Sequence, residues 1–348
     1  MRSSILAVLL VVSAVPGCNR ELTDDEKEFN MQMYLGETYF KGYKYPEAVR
    51  AYARAVEIKN DSYHANIGLG SAAREYSLTL YVEAERLYAI KKGSLGKKSV
   101  EDADSMTDAA LRAFGRAEKL HPGDHVTTYN VALMHYKRAT TPSQFPYPAG
   151  TAPPASIKGD EKLLKLWHDG VAKRVEERDE AIKKFSQCVS KEKYELDHAA
   201  HAKHCASPQS HRYLALLLLT RGKWELTETN PTSDTDVARR HLAAYLVWVQ
   251  ACREGIVNRP GHKQEDKDQK IKDLEYFDKE LVEIKEGLLA WRQGILTLES
   301  MVRQNTPDCP VPVEKRPKRL EALQRELLII EAMIRQFDVA REKKPGNG

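Results

Sequence analysis

The sequence predicts an all-α chain: a stack of helical hairpins followed by a C-terminal pair of long helices. Two observations carry this expectation. Small residues and aromatics recur on a beat of about 34 residues through the body of the chain, a period typical of hairpin units that bury a continuous core only by stacking on one another. Beyond Pro260, apolar residues fall at alternating spacings of three and four, the pattern of helices that meet along a heptad seam.

The chain has 348 residues, 42% of them apolar, enough for one or two domains with a sizeable core. Lys and Arg number 54 against 50 Asp and Glu, a net charge of +4. So close a balance gives no bulk field to gather nucleic acid or an acidic membrane, and no nucleic-acid partner is expected. Five cysteines are too few for a disulfide-built scaffold.

The first element is a leader. Met1-Arg2-Ser3-Ser4 is a short positive start, and Ile5 to Val15 is uncharged and apolar except for Ser13. The run is too short for a hydrocarbon core that needs roughly 20 residues, and it fits the core of a signal peptide over residues 1–17. Val15-Pro16-Gly17-Cys18 resembles a bacterial lipobox. That resemblance implies diacylglyceryl attachment to the Cys18 sulfur and cleavage just before it; the alternative is a plain secretory signal with an incidental cysteine. Several acyl chains would anchor firmly where a single chain is marginal. Under the sorting rule of such lipoproteins Asn19 points to the outer membrane. Residues 18–28 form the lipidated end and a short tether, and Thr23-Asp24-Asp25-Glu26 reads as a capping box that opens the first helix.

The repeats occupy residues 29–258. In the first unit, Leu35, Gly36 and Tyr39 belong to one helix and Tyr45, Ala48, Tyr52 and Ala55 to the next. Gly36 and Ala48 allow the helices to approach closely, Ala55 does so against the following unit, and the larger side chains fill the space between. Asn60-Asp61 makes the closing turn. The second unit repeats Leu69-Gly70 and then, after an insertion of about 28 residues, Ala110, Phe114, Ala117 and Pro122. Within this insertion, at about residues 75–106, Glu75 to Ile90 reads as continuing helix and residues 91–100 as a Lys/Gly/Ser loop. A third unit carries Tyr129, Val131-Ala132 and Tyr136, then Ala181, Phe185 and Cys188. Its own insertion, at about residues 138–176, has five prolines between residues 142 and 154 and cannot be regular helix there. A degenerate fourth unit runs from Tyr213 and places Ala238, Leu242 and Tyr245 on its second helix, with Asp236 as its cap.

Residues 265–343 close the chain. Leu274, Phe277, Leu281, Ile284, Leu288, Trp291, Ile295, Leu298 and Val302 form one seam; Leu320, Leu323, Leu327, Ile330, Ile334 and Phe337 form another. The proline-rich link between them makes the pair an antiparallel hairpin. It either folds back over the repeats as ordinary core or projects as an arm, where it could also mediate self-association.

The spacing over residues 29–62, and its echoes to about residue 255, resembles the tetratricopeptide (TPR) repeat. The resemblance implies a superhelix of helix pairs whose first helices line a concave groove. By it, the groove would expose Asn30, Met33, Glu37 and Phe40 from the first unit, His64, Ile67, Ser71 and Arg74 from the second, and Tyr129, Leu133 and Tyr136 from the third; the competing reading packs several of these against an insertion. The set is mixed apolar with few cations, which suits an extended or helical segment with apolar anchors. The chain thus resembles TPR lipoproteins of bacterial envelopes, and a protein partner of the envelope is the expected ligand.

Other chemistry is sparse. Asp197, His198, His201, His204, Cys205 and His211 cluster in sequence, and imidazole with thiolate can hold zinc or copper; the alternatives are a metal-dependent enzyme or a solvated connector. Cys188 and Cys205 enclose a short connector that a disulfide could close, against simple burial of Cys188. Lys91-Lys92 and Lys97-Lys98 are either a contact for anionic lipid or phosphate or a solubilising loop. There is no GxSxG, P-loop or GxGxxG, and paired carboxylates such as Glu176-Glu177 read as solvated faces. Neither catalysis nor a cofactor is expected.

Overall fold

The computed structural model describes residues 22–140, 159–190, 208–224, 231–257, 264–306, 309 and 311–342. Among these residues the chain forms ten α-helices and no strand. They are α1 (Asp24–Lys41), α2 (Tyr45–Ile58), α3 (Tyr63–Ala89), α4 (Gly93–Leu120), α5 (His125–Ala139), α6 (Glu161–Ser190), α7 (Pro208–Trp224), α8 (Pro231–Val257), α9 (Gln264–Arg303) and α10 (Arg316–Glu342).

Local chemistry starts the helices where the side chains supply caps. Thr23 Oγ1 accepts from Glu26 N at 3.2 Å while Glu26 Oε2 accepts from Thr23 N at 2.8 Å, a complete capping box. Ser62 caps α3 through Ala65 N at 3.2 Å, and Asp124 caps α5 through Thr127 N at 2.7 Å. Helix α8 begins at Pro231, a residue suited to a first helical turn. Position 236 therefore lies inside that helix and not at the cap expected for it.

The helices pack in chain order, each against the next, and the first helices of successive hairpins also touch: α1 on α3 and α3 on α5. This is a TPR-like stack. Its spacing comes from aromatic rings seated on glycines. A Cβ at Gly36 of α1 would lie 2.8 Å from the Tyr52 ring, and one at Gly68 of α3 would lie 2.5 Å from the same ring. Tyr52, reaching out of α2, is thus in contact with both first helices. Phe114 of α4 sits the same way on Gly70, at 2.5 Å. Around these rings Ala48, Ala55, Ala110, Ala117, Ala181 and Phe185 are fully buried, Leu35 and Tyr39 are half-buried, and Pro122 is exposed in the turn before α5.

The second hairpin differs from its expected form. Residues 93–100 are helix, because α4 starts at Gly93 and the turn shrinks to Ile90–Lys92. Tertiary contacts override the loop-like composition. The Tyr88 ring covers Gly96, where a Cβ would lie 2.9 Å away. Ser99 Oγ donates to Leu80 O at 3.0 Å, and the Tyr81 hydroxyl donates to Asp104 at 2.7 Å. The insertion therefore lengthens both helices of the hairpin.

The C-terminal hairpin is antiparallel, and its two halves have different neighbours. Phe277, Leu281, Ile284 and Leu288 of α9, with Met333 and Phe337 of α10, join the core built by α7 and α8. Trp291, Ile295, Leu298 and Val302 pack with Val311, Leu323 and Ile330 in a separate core. Folding back and independence of the repeats thus divide the hairpin between them. Cys252 packs against the first core and Cys309 against the second, and the two are not bonded to each other.

Gly70→Ala should lower the thermal unfolding midpoint. Strain against the buried Phe114 ring, of about 1–3 kcal/mol, exceeds the helix-propensity gain of about 1 kcal/mol. Gly115→Ala in the same hairpin, where a Cβ meets nothing within 4 Å, should instead raise it. Calorimetry on the two variants checks the contrast.

Candidate functional site

The sequence places the site on the first helices α1, α3 and α5. In the first hairpin, Asn30 is exposed. Met33 and Phe40 are half-buried against the core of α2 and α3, with Phe40 edge-on to Tyr45 at 5.7 Å. Glu37 keeps partial exposure and accepts from Lys41 at 2.6 Å. In the second hairpin, His64 is exposed, and Ile67, Ser71 and Arg74 are half-buried. Arg74 donates from Nε to Glu75 at 3.0 Å and reaches across to the Asn130 side chain on α5. These two hairpins therefore offer a face in which apolar side chains, held firmly at their inner ends, alternate with polar ones.

The third hairpin is different because its own aromatics fill the equivalent space. Leu133 is 8% exposed. Tyr129 lies edge-on to Phe185 of α6, with ring centres 6.0 Å apart. Phe185 stacks on Tyr213 of α7 at 5.5 Å, and Tyr213 meets Tyr136 at 4.7 Å. Burial disfavours the phenolate throughout this ladder: it pushes Tyr136 up to about 12 and raises Tyr129 and Tyr213 as well. Burial also lowers Lys137 beside it, because the ammonium loses solvent.

Helix α9 closes the ladder through one carboxylate. Glu280, 4% exposed, accepts from Arg212 Nη1 at 2.7 Å and Gln209 Nε2 at 3.2 Å, and from the hydroxyls of Tyr245 and Tyr276. Arg212 also donates to Glu283 at 3.1 Å and lies over the Tyr213 ring at 5.4 Å. Donors from α7, α8 and α9 itself thus converge on Glu280. With four donors on its two oxygens, the group is saturated as an acceptor, which suits holding helices together and not proton transfer. The heptad reading places Phe277 and Leu281 on the seam and misses Glu280 between them. A charged residue one position from a seam leucine was the only signal available.

Cys18, His198, His201, His204 and Cys205 lie outside the described residues. Cys188 is buried in α6. His211 is buried on α7, where its Nδ1 pairs with His241 Nδ1 of α8 at 2.9 Å. Burial, reinforced by the neighbouring charge of each, pushes His211 down to about 3 and His241 down to about 4. Among the described residues, no three His, Cys, Asp or Glu side chains converge as metal ligands would. No family model matches the chain, and no curated protein matches it.

Glu280→Ala should cost about 3–5 kcal/mol in chemical denaturation, the scale for removing one partner of a buried ion pair, although Arg212 keeps Glu283. The histidine pair predicts a pH effect. Unfolded imidazoles titrate near 6.5, above the folded values of about 3 and about 4. Between these limits the unfolded chain binds more protons, so stability should fall as pH drops through this window. His241→Gln should flatten that dependence in unfolding curves recorded from neutral pH to pH 4.

Proposed function

We propose that the chain is a non-catalytic, membrane-anchored adaptor of a bacterial cell envelope. In this reading a protein segment lies along the first helices of the first two TPR-like hairpins, and acylated Cys18 holds the array at the periplasmic face of the outer membrane. The observation that carries the binding role is the asymmetry of the face lined by first helices. At α5 it is filled by Leu133 and by Tyr129 and Tyr136, whose rings pack with Phe185 and Tyr213 of α6 and α7, whereas Asn30 and His64 on α1 and α3 stay exposed beside half-buried Met33, Phe40 and Ile67. Apolar anchors set among Asn30, Glu37, His64, Ser71 and Arg74 suit a segment with apolar side chains at alternate or helical spacing. The C-terminal hairpin, with its separate distal core, is available for a second surface or a second copy.

A photocrosslinking residue at Asn30 or at His64, in intact envelopes, should trap the same protein. At the enclosed Tyr129 position it should trap none. Equal trapping from all three positions, or none from the first two, would count against the groove. Cys18→Ala should remove the acyl mass and the membrane association that survives a high-salt wash; retention of both would remove the anchor from this reading.

A further inference from the structure

The helical insertion in the second hairpin builds a surface that the adaptor role does not use. Helices α3 and α4 are 27 and 28 residues long, against 18 and 14 for α1 and α2. At 1.5 Å per residue, the hairpin runs roughly 20 Å past the point equivalent to the α1–α2 turn. The extension is a zipper of small and aromatic side chains. Tyr81, Ala84 and Leu87 of α3 and Gly96, Ser99, Ala103 and Thr107 of α4 are all buried. The Ser99–Leu80 and Tyr81–Asp104 hydrogen bonds fasten it, so the tip is a positioned object.

What the tip presents is both apolar and basic. Ile90 is 52% exposed and Leu95 50%. Lys91, Lys92, Lys97 and Lys98 are exposed around them. From Leu87 to Val100 the chain carries four lysines and no acid; Arg86, just before, is paired with Glu83 at 2.8 Å. Lys97 approaches Glu101 at 3.8 Å, with both side chains well solvated, and such a pair contributes little. Lys91, Lys92 and Lys98 form no ion pair among the described residues. Two aliphatic side chains bared at the end of a rigid hairpin and ringed by lysines have no structural use in the hairpin itself.

We propose that this tip docks on an anionic lipid bilayer, with Ile90 and Leu95 entering the headgroup–acyl boundary and the four lysines facing lipid phosphates. The tip is the end of two helices joined by the short turn Ile90–Lys92, which presents its apolar and basic side chains together to a surface. The residue type agrees. Lysine is a point charge suited to a diffuse anionic field, whereas a bidentate phosphate clamp favours arginine. Apolar side chains supply burial and lysines supply attraction, the combination by which amphipathic elements bind anionic membranes. This contact does not require the acylated cysteine. If both operate on one bilayer, the array lies along the membrane plane, because α1 and α3 run parallel and the tether joins α1 at the end opposite the tip.

The test uses the full chain with vesicles of phosphatidylcholine, alone or mixed with phosphatidylglycerol, read by hydrogen–deuterium exchange and co-sedimentation. Protection of residues 86–100 should appear only with the anionic vesicles and weaken with added salt. Each lysine near an anionic surface is worth about fivefold in the binding constant. The combined variant K91Q/K92Q/K97Q/K98Q should therefore weaken this salt-sensitive binding by roughly 100-fold or more, with an unchanged unfolding midpoint. Ile90→Gln with Leu95→Gln should weaken it less and leave the salt dependence intact. Equal protection by neutral vesicles overturns the proposal. So does co-sedimentation through residues 1–21 with no protection at the tip. Equal protection by inorganic phosphate or by polyglutamate without lipid also overturns it, assigning the lysines to a soluble anion or an acidic chain.

Discussion

The arrangement of the repeats depends on aromatic rings lying against bare helix backbone. Tyr52 projects from α2 into the space that side chains at Gly36 and Gly68 would occupy, and Phe114 projects from α4 onto Gly70. A ring in such a slot fixes how near two helices come and how they are rotated about their axes, since only one face of each lacks a Cβ. Interiors this closely packed have little room to yield. The contact of α1 with α3 follows from the position of Tyr52 between them, and the face formed by the first helices follows from that contact.

A second constraint acts on the C-terminal hairpin. Glu280 draws donors from α7, α8 and α9 to one point and so ties α9 to α7 and α8. A buried ion pair does not by itself argue for stability, because desolvation opposes the Coulomb attraction. Its effect here is positional. A hairpin held only by its heptad seam could slide against the repeats, whereas a carboxylate saturated by four donors permits one register. The third repeat, for its part, packs its rings on those of α6 and α7.

The insertion at the second hairpin shows how added sequence acquires a role without disturbing the stack. Its buried side is made largely of small residues and tyrosines that pair within the hairpin, and near its base Arg138 of α5 donates to Asp104 O at 2.9 Å. Its four lysines gather at the far end, while its carboxylates, Glu83, Glu85, Glu101, Asp102 and Asp104, lie nearer the base. The chain's near-neutral total therefore hides a separation: balanced charge over most of the surface and a concentrated positive tip.

Local and periodic features were readable in the amino-acid order alone. The Thr23–Glu26 cap, the glycine and alanine beat at Gly36, Ala48, Gly70 and Ala117, and both heptad seams depend on neighbours within a turn or on a repeat spacing. Of the face, the same order placed Asn30, Met33, Phe40 and His64 on the first two hairpins. It could not show that Tyr129 and Tyr136 are packed over, because the rings that meet them, Phe185 and Tyr213, stand about 50 to 80 residues further along the chain. Nor could it show helix through residues 93–100, where glycine, lysine and serine signal a turn until Tyr88 covers Gly96 and Leu80 accepts from Ser99. Composition and spacing determined which helices form and which edges are bare enough to touch. Only the folded chain decided what fills the space between them, since that depends on side chains that meet after the helices have stacked.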